Sequence, residues 1–189
     1  MLAQLRPAIV LTLLFIVLTG LAYPLAIAGI GQLAFPAQAK GSLIRNGETI
    51  LGSALIGQNF ATDRYFWPRP SVTAEAAYNA GASTGSNLGP TSASLAERVK
   101  TDVERLNAAG VAGPVPADGA TASGSGLDPD ISPEFARAQI KRVAAARGLA
   151  EADVSALVER FTEGRLLGIV GEPRVNVLRL NMALDAPQS

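Results

Sequence analysis

The stretch AIVLTLLFIVLTGLAYPLAIAGI (Ala8–Ile30) is almost wholly apolar, and no charged side chain occurs between Arg6 and Lys40. A bilayer core about 30 Å thick is crossed by about 20 residues of α-helix, because the helix rises about 1.5 Å per residue. Inside hydrocarbon a helix satisfies its own backbone hydrogen bonds. The sequence therefore predicts a single N-terminal transmembrane helix, with an exit segment, over residues 7–33.

The residues around this stretch predict its far end and its orientation. Tyr23 and Pro24 are expected to mark the far end, because tyrosine prefers the membrane interface and proline weakens a helix. Arg6 precedes the apolar stretch, and basic residues tend to stay on the cytoplasmic side. We expect residues 1–6 to form a cytoplasmic tail and everything after about Lys40 to be exported.

A cleaved signal peptide is the alternative interpretation of the same stretch. Ala37-Gln38-Ala39 has the small-x-small form of a signal-peptidase site, and Arg6 would be the charged n-region. The apolar stretch is, however, longer than the core of a signal peptide, which has about 7–15 residues. This length favours a retained anchor, and both interpretations export the C-terminal part.

The composition narrows the functions open to the exported part, residues 37–189, whose length suits one globular domain. Without Arg6 this part has 15 of the 16 basic residues and all 16 acidic ones, a net charge of −1, which argues against nucleic acid as a partner. The sequence contains no cysteine and no histidine. Disulfides, thiolate metal sites and Ser-His triads are therefore excluded.

The exported part begins with a predicted β-hairpin. Asn46-Gly47 separates two short apolar runs, and this dipeptide favours a type I′ turn with two positive φ values. We expect strands near Ser42–Arg45 and Glu48–Ile56.

Three helices and a final strand are predicted further along. The first helix has an apolar stripe, with Ser94 as its N-cap and Gly110 as its stop. The second helix begins at Ser132 and Pro133 and ends at Gly148. The third helix ends at Gly164. The stretch GEPRVNVLRLNMAL (Gly171–Leu184) is read as a strand with imperfect alternation. The predicted inward-facing residues are Leu95, Val99, Val103 and Leu106 in the first helix, Phe135, Ile140 and Val143 in the second, and Val154, Leu157, Val158 and Phe161 in the third. The predicted fold is one transmembrane helix followed by one α+β extracytoplasmic domain.

Two long loops rich in small polar residues lie between these elements, a first loop over Tyr78–Ser94 and a second loop over Val111–Asp130. Structureless loops beyond about 12–15 residues are uncommon in compact domains unless they are functional or disordered. They are therefore the first candidates for interaction surfaces. The candidate interaction residues are Ser83, Gly85, Ser86, Asn87 and Gly89 in the first loop, and Ser123, Gly124, Ser125, Gly126 and Asp128 in the second.

Three interpretations apply to the second loop. A Walker-type phosphate loop requires a lysine that SGSGLDPDIS lacks, and Asp128 and Asp130 would repel a phosphate. Calcium would find oxygen ligands here, but only fragments of an EF-hand pattern are present. The interpretation that we favour is an Asx/Ser turn that caps the following helix.

The segment DRYFWPRPS (Asp63–Ser71) combines three aromatic residues with two prolines. Proline bars a regular strand ladder, which indicates a fixed, extended segment. Its aromatic side chains are expected to cover the core, with a contact surface as the alternative. Tyr65, Phe66 and Arg69 are candidate interface residues here, and Gly20 is one in the apolar helix, where small residues permit close helix packing.

Seven stretches carry a resemblance to a known family. In chain order they are AQAKGSLI, GSALIGQNF, YFWPRPS, YNAGASTGSNLGPT, VPADGATASGSGLDPDIS, RVAAARGL and GEPRVNVLRLNMAL. With the N-terminal apolar helix, this order resembles KdpC, the family of C subunits of the bacterial Kdp potassium-importing P-type ATPase. The resemblance covers about Ala37 to Leu184.

The resemblance implies an accessory subunit, without a catalytic site of its own, in a complex that couples ATP hydrolysis to high-affinity potassium uptake. The implied partners are a channel-like potassium-binding subunit, a P-type ATPase subunit and the lipid bilayer; ATP and potassium are handled by the complex rather than held as cofactors by this chain. The implied location is the cell inner membrane, single-pass, with a periplasmic C-terminal domain. The C subunits assemble or stabilise the complex, and a catalytic-chaperone role that raises the affinity for ATP is also implied.

The chain departs from the family at two positions. Where members commonly read Ser-Gly-Gly-Ser-Asn-Leu, this chain has Thr84 in place of the first glycine. Where they often read Asp-Pro-His-Ile-Ser, it has Asp130, so no histidine-based role is carried over. Because the domain is expected outside the membrane, an effect on ATP affinity is expected to act through subunit contacts and conformational linkage.

Two hypotheses from other classes remain at this stage. A tethered periplasmic hydrolase needs a nucleophile and a base, and serine–aspartate pairs without histidine or cysteine provide neither convincingly. A membrane-tethered or secreted periplasmic binding module without catalysis is the other, in its secreted form released by cleavage after Ala39.

Overall fold

The computed structural model describes residues 2–111 and 113–186. The chain divides into two units, residues 1–51 and residues 52–189. The first contains a long apolar helix, and the second is a domain of helices and short strands. The predicted order, an apolar helix followed by a mixed domain, is confirmed.

The apolar helix is longer than predicted. It comprises α1 (Leu2–Val17), a wide π-helical turn (Leu18–Ala22) and α2 (Tyr23–Ala34), and it is long and apolar enough over Ala3–Ala34 to cross a membrane. The prediction that Tyr23 and Pro24 mark its far end is wrong. The wide turn, in which the Tyr23 N–H donates to the Leu18 carbonyl, precedes the proline and lets the helix continue through it.

A short helix, α3 (Pro36–Ala39), and a hairpin of β1 (Leu43–Asn46) and β2 (Thr49–Ser53) follow. The predicted hairpin is confirmed, but its type I′ turn is not. Asn46 belongs to the strand, and of the Asn-Gly pair only Gly47 has a positive φ, of +59°. The turn therefore lies one residue later than expected.

Over the described residues from 52 to 186, the domain is built on a small antiparallel sheet and five α-helices. The strands are β3 (Asp130–Ile131), β4 (Thr162–Glu163) and β5 (Arg174–Asn176), in the order β3-β5-β4. Asp130 pairs with Asn176, and Thr162 pairs with Val175. The helices are α4 (Ala93–Ala108), α5 (Ala117–Ala120), α6 (Pro133–Arg147), α7 (Glu151–Arg160) and α8 (Val177–Asp185).

The caps of α4 and α6 follow from the local sequence. The Ser132 hydroxyl accepts a hydrogen bond from the Phe135 N–H at 3.0 Å, Pro133 starts α6, and Gly148 ends it in the left-handed conformation, as predicted. For α4 the predicted cap is wrong by two residues. Ser92 rather than Ser94 accepts from the Leu95 N–H, because Ser94 already lies in the first helical turn.

The predicted stop of α7 is also wrong. This helix ends at Arg160, and strand β4 begins at Thr162 before Gly164 is reached. Val154 and Val158 are buried as predicted, and Leu157 and Phe161 pack against the core. The buried face was therefore correctly identified, although the end was not.

The largest correction concerns the C-terminal stretch. Only Arg174–Asn176 forms a strand, and Val177–Asp185 is the helix α8. The Asn176 side chain accepts from the Arg179 N–H at 3.1 Å and so caps the helix. The buried residues of α8 recur with helical spacing, but the β-branched valine at its start favours a strand in the sequence. The buried residues are Val177, Leu178, Leu180, Asn181 and Leu184.

The core is apolar and is closed by the strap, residues 63–70. Its largest fully buried side chains include Phe66, Phe135, Leu106 and Leu180. The strap is held through its backbone: the Trp67 N–H donates to Gln139 Oε1 at 2.7 Å, and Gln139 Nε2 donates to the Trp67 carbonyl at 3.1 Å. The predicted core-covering role of these aromatics is confirmed.

Candidate functional site

The first and second loops meet on the surface of the domain. The Ser83 hydroxyl donates to the Ser125 carbonyl at 3.1 Å, and the Thr84 N–H donates to the same oxygen at 3.0 Å. Forty-two positions separate Ser83 from Ser125 along the chain. We call this meeting point the loop junction, residues 83–85 with residues 123–128. It joins the two sets of candidate residues into one surface.

Two glycines permit the close approach of the backbones at the loop junction. A Cβ atom on Gly85 would lie 2.9 Å from the Gly124 carbonyl oxygen. Gly126 has a φ of +68°, and a Cβ there would lie 2.8 Å from the Thr84 carbonyl oxygen. Side chains at either position would push the loops apart.

The serines of the second loop bond to their own backbone. The Gly126 N–H donates to Ser123 Oγ at 3.0 Å, and the Leu127 N–H donates to Ser125 Oγ at 3.1 Å. The Asp130 N–H donates to Asp128 Oδ1 at 3.1 Å. These are the Ser and Asx turns that the sequence predicts. The expectation that they cap the following helix is wrong, because strand β3 follows them and Ser132 caps α6.

The strap connects to the loop junction through Arg69, and the next residue beyond the strap, Ser71, makes a second connection. Arg69 Nη1 lies 2.8 Å from Asp128 Oδ2, and the Ser71 hydroxyl donates to the Gly126 carbonyl at 2.8 Å. Both charged side chains of the ion pair are about one-quarter exposed, 24% and 29%. Asp128 is therefore committed to one ion pair and one turn.

Tyr78 closes the other side of the strap. Its N–H donates to Ser71 Oγ at 2.9 Å, and its hydroxyl donates to the Arg69 carbonyl. Burial, and secondarily the charge of Asp128, raises the pKa of Tyr78 above its ordinary value of 10.0. The phenol therefore stays protonated and acts as a hydrogen-bond donor.

Two clefts flank this region. One, of about 470 Å³, is lined by aromatic and basic side chains that include Trp67, Arg98 and Arg105. The other, of about 460 Å³, is lined by Asp118, Asp128 and Asp130 together with Arg69 and Arg174.

The carboxylates of the second cleft already have partners. Asp118 accepts from the Ser132 N–H and hydroxyl at 2.6 and 2.9 Å. Asp130 lies 3.1 Å from Arg174 and accepts from Asn176 Nδ2 at 3.1 Å. Across residues 2–111 and 113–186 the acidic side chains form no group suited to hold a metal ion. The charges of this cleft hold the strands and loops together.

Burial raises the pKa of Asp130 above its ordinary value of 3.8. The hydrogen bond from Asn176 and the charge of Arg174 oppose this effect, whereas the charges of Asp128 and Glu163 add to it. The protonation of Asp130 therefore depends on the fold.

Trp67 is covered by a cation. The Arg142 guanidinium lies 4.0 Å from the ring centroid, donates to the Asp63 and Tyr65 carbonyls, and donates to Gln139 Oε1 at 2.7 Å. Burial lowers the pKa of Arg142 to about 10. The buried arginine therefore organises the strap, and its Nη1 also lies 3.7 Å from Asp63 Oδ1.

The other candidate residues lie at different depths. Ser86 is partly buried, Asn87 is exposed with a φ of +52°, and Gly89 is exposed. Gly20 lies in the wide turn of the apolar helix, where an added Cβ would meet no atom of the described residues within 4 Å. These interaction roles stay predictions.

The candidate interface residues of the strap differ from one another. Phe66 is fully buried in the core, so its side chain offers no surface to a partner, because its neighbours in this chain already cover it. The Tyr65 hydroxyl donates a hydrogen bond to Asp185 Oδ2 at 2.8 Å. Tyr65 and Arg69 are both partly exposed. Their role as contacts stays a prediction.

The sequence did not lead us to predict the exposed apolar segment Leu166–Val170. It has four large aliphatic residues around Gly168, a composition typical of a buried strand. The central glycine and the flanking Arg165 and Glu172 were the available signal for a hairpin tip.

Comparisons with known proteins agree on one family over nearly the whole chain. The family model described as "K+-transporting ATPase, c chain" matches residues 5–186. A relative from Allorhizobium ampelinum is 59% identical over 186 residues, which cover 98% of this chain and 97% of the relative. A relative from Sorangium cellulosum is 59% identical over 187 residues and 98% of each chain. Both relatives bear the name potassium-transporting ATPase KdpC subunit.

Proposed function

Because the chain belongs to the KdpC family of K+-transporting ATPase c chains, we propose that it is the non-catalytic subunit that assembles or stabilises an ATP-driven, high-affinity potassium import complex. The family match from residue 5 to residue 186 carries this proposal. The residues of the domain support an accessory role. Arg69 and Asp128 form one ion pair, Arg174 and Asp130 form another, and Arg142 donates to the backbone of the strap. The sequence has neither histidine nor cysteine.

We propose a single-pass topology in the cell inner membrane. The apolar helix over Ala3–Ala34 supports a membrane anchor, and Arg6 supports placing its first end on the cytoplasmic side. The α+β domain is then periplasmic. The exported domain is separated by the bilayer from cytoplasmic ATP.

The partners in this proposal are the channel-like potassium-binding subunit and the P-type ATPase subunit. The loop junction is proposed as a contact surface because its exposed residues, among them Ser83, and the neighbouring Asn87 lie on loops with internally bonded backbone. Such a preformed surface loses little conformational freedom on binding. Any effect on ATP use acts through the affinity of the partner, by linkage between subunits.

Deletion of the chain tests the proposed function. Cells that depend on the Kdp system are expected to lose growth at micromolar potassium and to regain it with the wild-type chain. Detergent extraction should recover the pump subunit with a tagged copy of the chain. Unchanged potassium uptake without the chain, with the other subunits present at normal levels, contradicts the proposal.

Cysteine labelling tests the topology. The sequence has no cysteine, so Ala146→Cys in the exposed part of α6 and Gln4→Cys near Arg6 give single labels. A membrane-impermeant maleimide applied to spheroplasts is expected to label position 146 and to reach position 4 only after lysis. The reverse pattern contradicts the proposed orientation.

A further inference from the structure

The hairpin between β4 and β5 ends in an apolar tip, Leu166–Val170. Its exposed fractions are 68% for Leu166, 86% for Leu167, 78% for Ile169 and 56% for Val170. Removal of such a side chain from water stabilises a structure. Four neighbouring aliphatic side chains are therefore exposed to water, and covering them with another apolar surface would lower the free energy.

Most backbone N–H groups of the apolar tip are hydrogen-bonded within the hairpin. The N–H groups of Leu166 and Val170 donate to each other's carbonyls at 2.9 and 3.0 Å. The N–H groups of Gly168 and Ile169 donate to the carbonyls of Arg165 and Leu166 at 3.0 and 3.2 Å. Because these donors are satisfied within the hairpin, covering the apolar tip leaves them paired.

The shape of the apolar tip is fixed at a conformational cost. Leu167 has a φ of +54°, a left-handed conformation that is unfavourable for a residue with a Cβ atom. The most exposed side chain of the apolar tip is thus held outward by the tightest part of the turn. A turn whose shape is already fixed loses little conformational freedom when it binds a partner.

The base of the hairpin is charged but balanced. Arg165 Nη2 lies 2.6 Å from Glu172 Oε2, and Arg174 Nη2 lies 2.9 Å from Glu163 Oε2. Residues 165–172 include no aromatic residue, and their one basic residue is in the first of these pairs. Membrane-surface anchors instead combine unpaired basic residues with tryptophan or tyrosine.

We propose that the apolar tip inserts into an apolar pocket on the extracytoplasmic side of another subunit of the potassium-transport complex; this inference rests on the proposed function. The balanced base favours a protein pocket over the bilayer surface. The size of the tip also excludes a stable contact by itself, because specific interfaces bury about 800 Å² on each partner.

The membrane anchor explains how so small a contact is sufficient. A chain tethered in the same bilayer as its partner meets it at a high effective concentration, so a second, small contact adds to the anchor without having to bind alone. The occupant is therefore a subunit that shares the membrane with this chain. A free soluble protein would not gain this advantage.

A photo-crosslinking residue placed at Leu167 in the full chain, within the assembled complex in native membranes, identifies the occupant. The expected adduct contains one other subunit of the transporter. Adducts with lipid alone, adducts with a second copy of this chain, or the absence of any adduct overturn the inference.

Variants of the apolar tip give an independent measurement. Leu167→Asn removes the apolar side chain and suits the left-handed backbone, and Ile169→Thr shortens a second side chain. The double variant is expected to dissociate from the detergent-purified complex at least about tenfold faster, as the loss of one buried leucine predicts. Leu55→Asn, at a leucine 63% exposed outside the apolar tip, is the matched control and should dissociate at the wild-type rate.

The outcomes separate this inference from the proposed function. If the wild-type chain fails to purify with the transporter subunits, the proposed function is wrong. If the wild-type chain purifies with them and the double variant is retained equally well, with an unchanged unfolding temperature, the proposed function stands and the apolar tip is not a docking element.

Discussion

Asn181 binds both polar groups of the Phe66 residue. Its Oδ1 accepts from the Phe66 N–H at 2.8 Å, and its Nδ2 donates to the Phe66 carbonyl at 3.0 Å. Helix α8 thus holds the middle of the strap at a site that is buried from solvent.

Replacing this amide is expected to destabilise the domain strongly. Asn181→Leu leaves the Phe66 N–H and carbonyl buried without partners, and each such loss costs roughly 1–3 kcal/mol. We expect the free energy of unfolding to fall by about 2–4 kcal/mol. The measurement is urea unfolding of the full chain in detergent, followed by the fluorescence of Trp67, the single tryptophan. Asn107→Leu, at an exposed position in α4, is the control. Equal losses of stability in the two variants would contradict the conclusion that Asn181 holds the strap.

The two glycines of the second loop should respond differently to alanine. Gly126→Ala places a Cβ 2.8 Å from both the Thr84 carbonyl oxygen and Thr73 Cγ2, at a φ of +68°. Gly124→Ala meets nothing within 4 Å among the described residues. Because the first variant combines a clash with backbone strain, we expect it to lower the free energy of unfolding by about 2 kcal/mol or more. The second should change it by less than about 0.5 kcal/mol, and similar values for both would refute the close packing at the loop junction.

The ion pair between Arg69 and Asp128 should contribute more than a surface pair. A double-mutant cycle with Arg69→Leu and Asp128→Asn is expected to give a coupling energy of about 1 kcal/mol, because both groups are only about one-quarter exposed. The control cycle is Lys100 with Glu104, which lie 4.0 Å apart and are 64% and 67% exposed. Its coupling should be below about 0.5 kcal/mol and should weaken further with salt. A coupling at the loop junction no larger than the control would show that the pair is incidental.

Asp130 should make the stability of the domain depend on pH. Its folded pKa is raised above the ordinary value of 3.8, chiefly by burial, so the folded domain binds this proton more tightly than the unfolded chain does. The stabilisation by protonation is present at low pH and is lost as the pH rises from about 3.8 through the folded pKa.

The variant Asp130→Asn removes this titration. Its stability relative to the wild type is expected to increase as the pH rises across that window and then to level off. Unfolding measured at steps of pH from the acid side to neutrality gives the comparison, with Glu48→Gln in the exposed hairpin turn as control. A difference that is constant with pH, or that decreases, contradicts the assignment.

The sequence predicted the features that depend on local chemistry. Ser132-Pro133 and Gly148 bound α6 because an N-cap hydroxyl, a first-turn proline and a C-terminal glycine act over a single helical turn. The apolar stripe of α4 and the long apolar helix were correct for the same reason: helical periodicity and hydrophobicity are properties of neighbouring residues.

The sequence could not supply the features that depend on distant partners. Valines at 175 and 177 favour a strand locally, yet burial of Leu180 and Leu184 against the core selects a helix there. Nor does either loop reveal that Ser83 and Ser125 meet. The apolar residues around Leu167 do not by themselves reveal their exposure, because an apolar run on a hairpin tip and one in a core strand have the same composition; only Gly168 and the flanking charged residues point to a tip.

The strap obtains its partners from far along the chain, since Gln139 follows Trp67 by 72 positions and Asn181 follows Phe66 by 115. During synthesis the strap is therefore made early, and its aromatic residues stay uncovered until α6 and α8 have been made. Such non-local closure is slow compared with helix formation. Synthesis of nearly the entire domain is thus a precondition for closure of its core, and the aromatic residues of the strap lack their buried contacts during that interval.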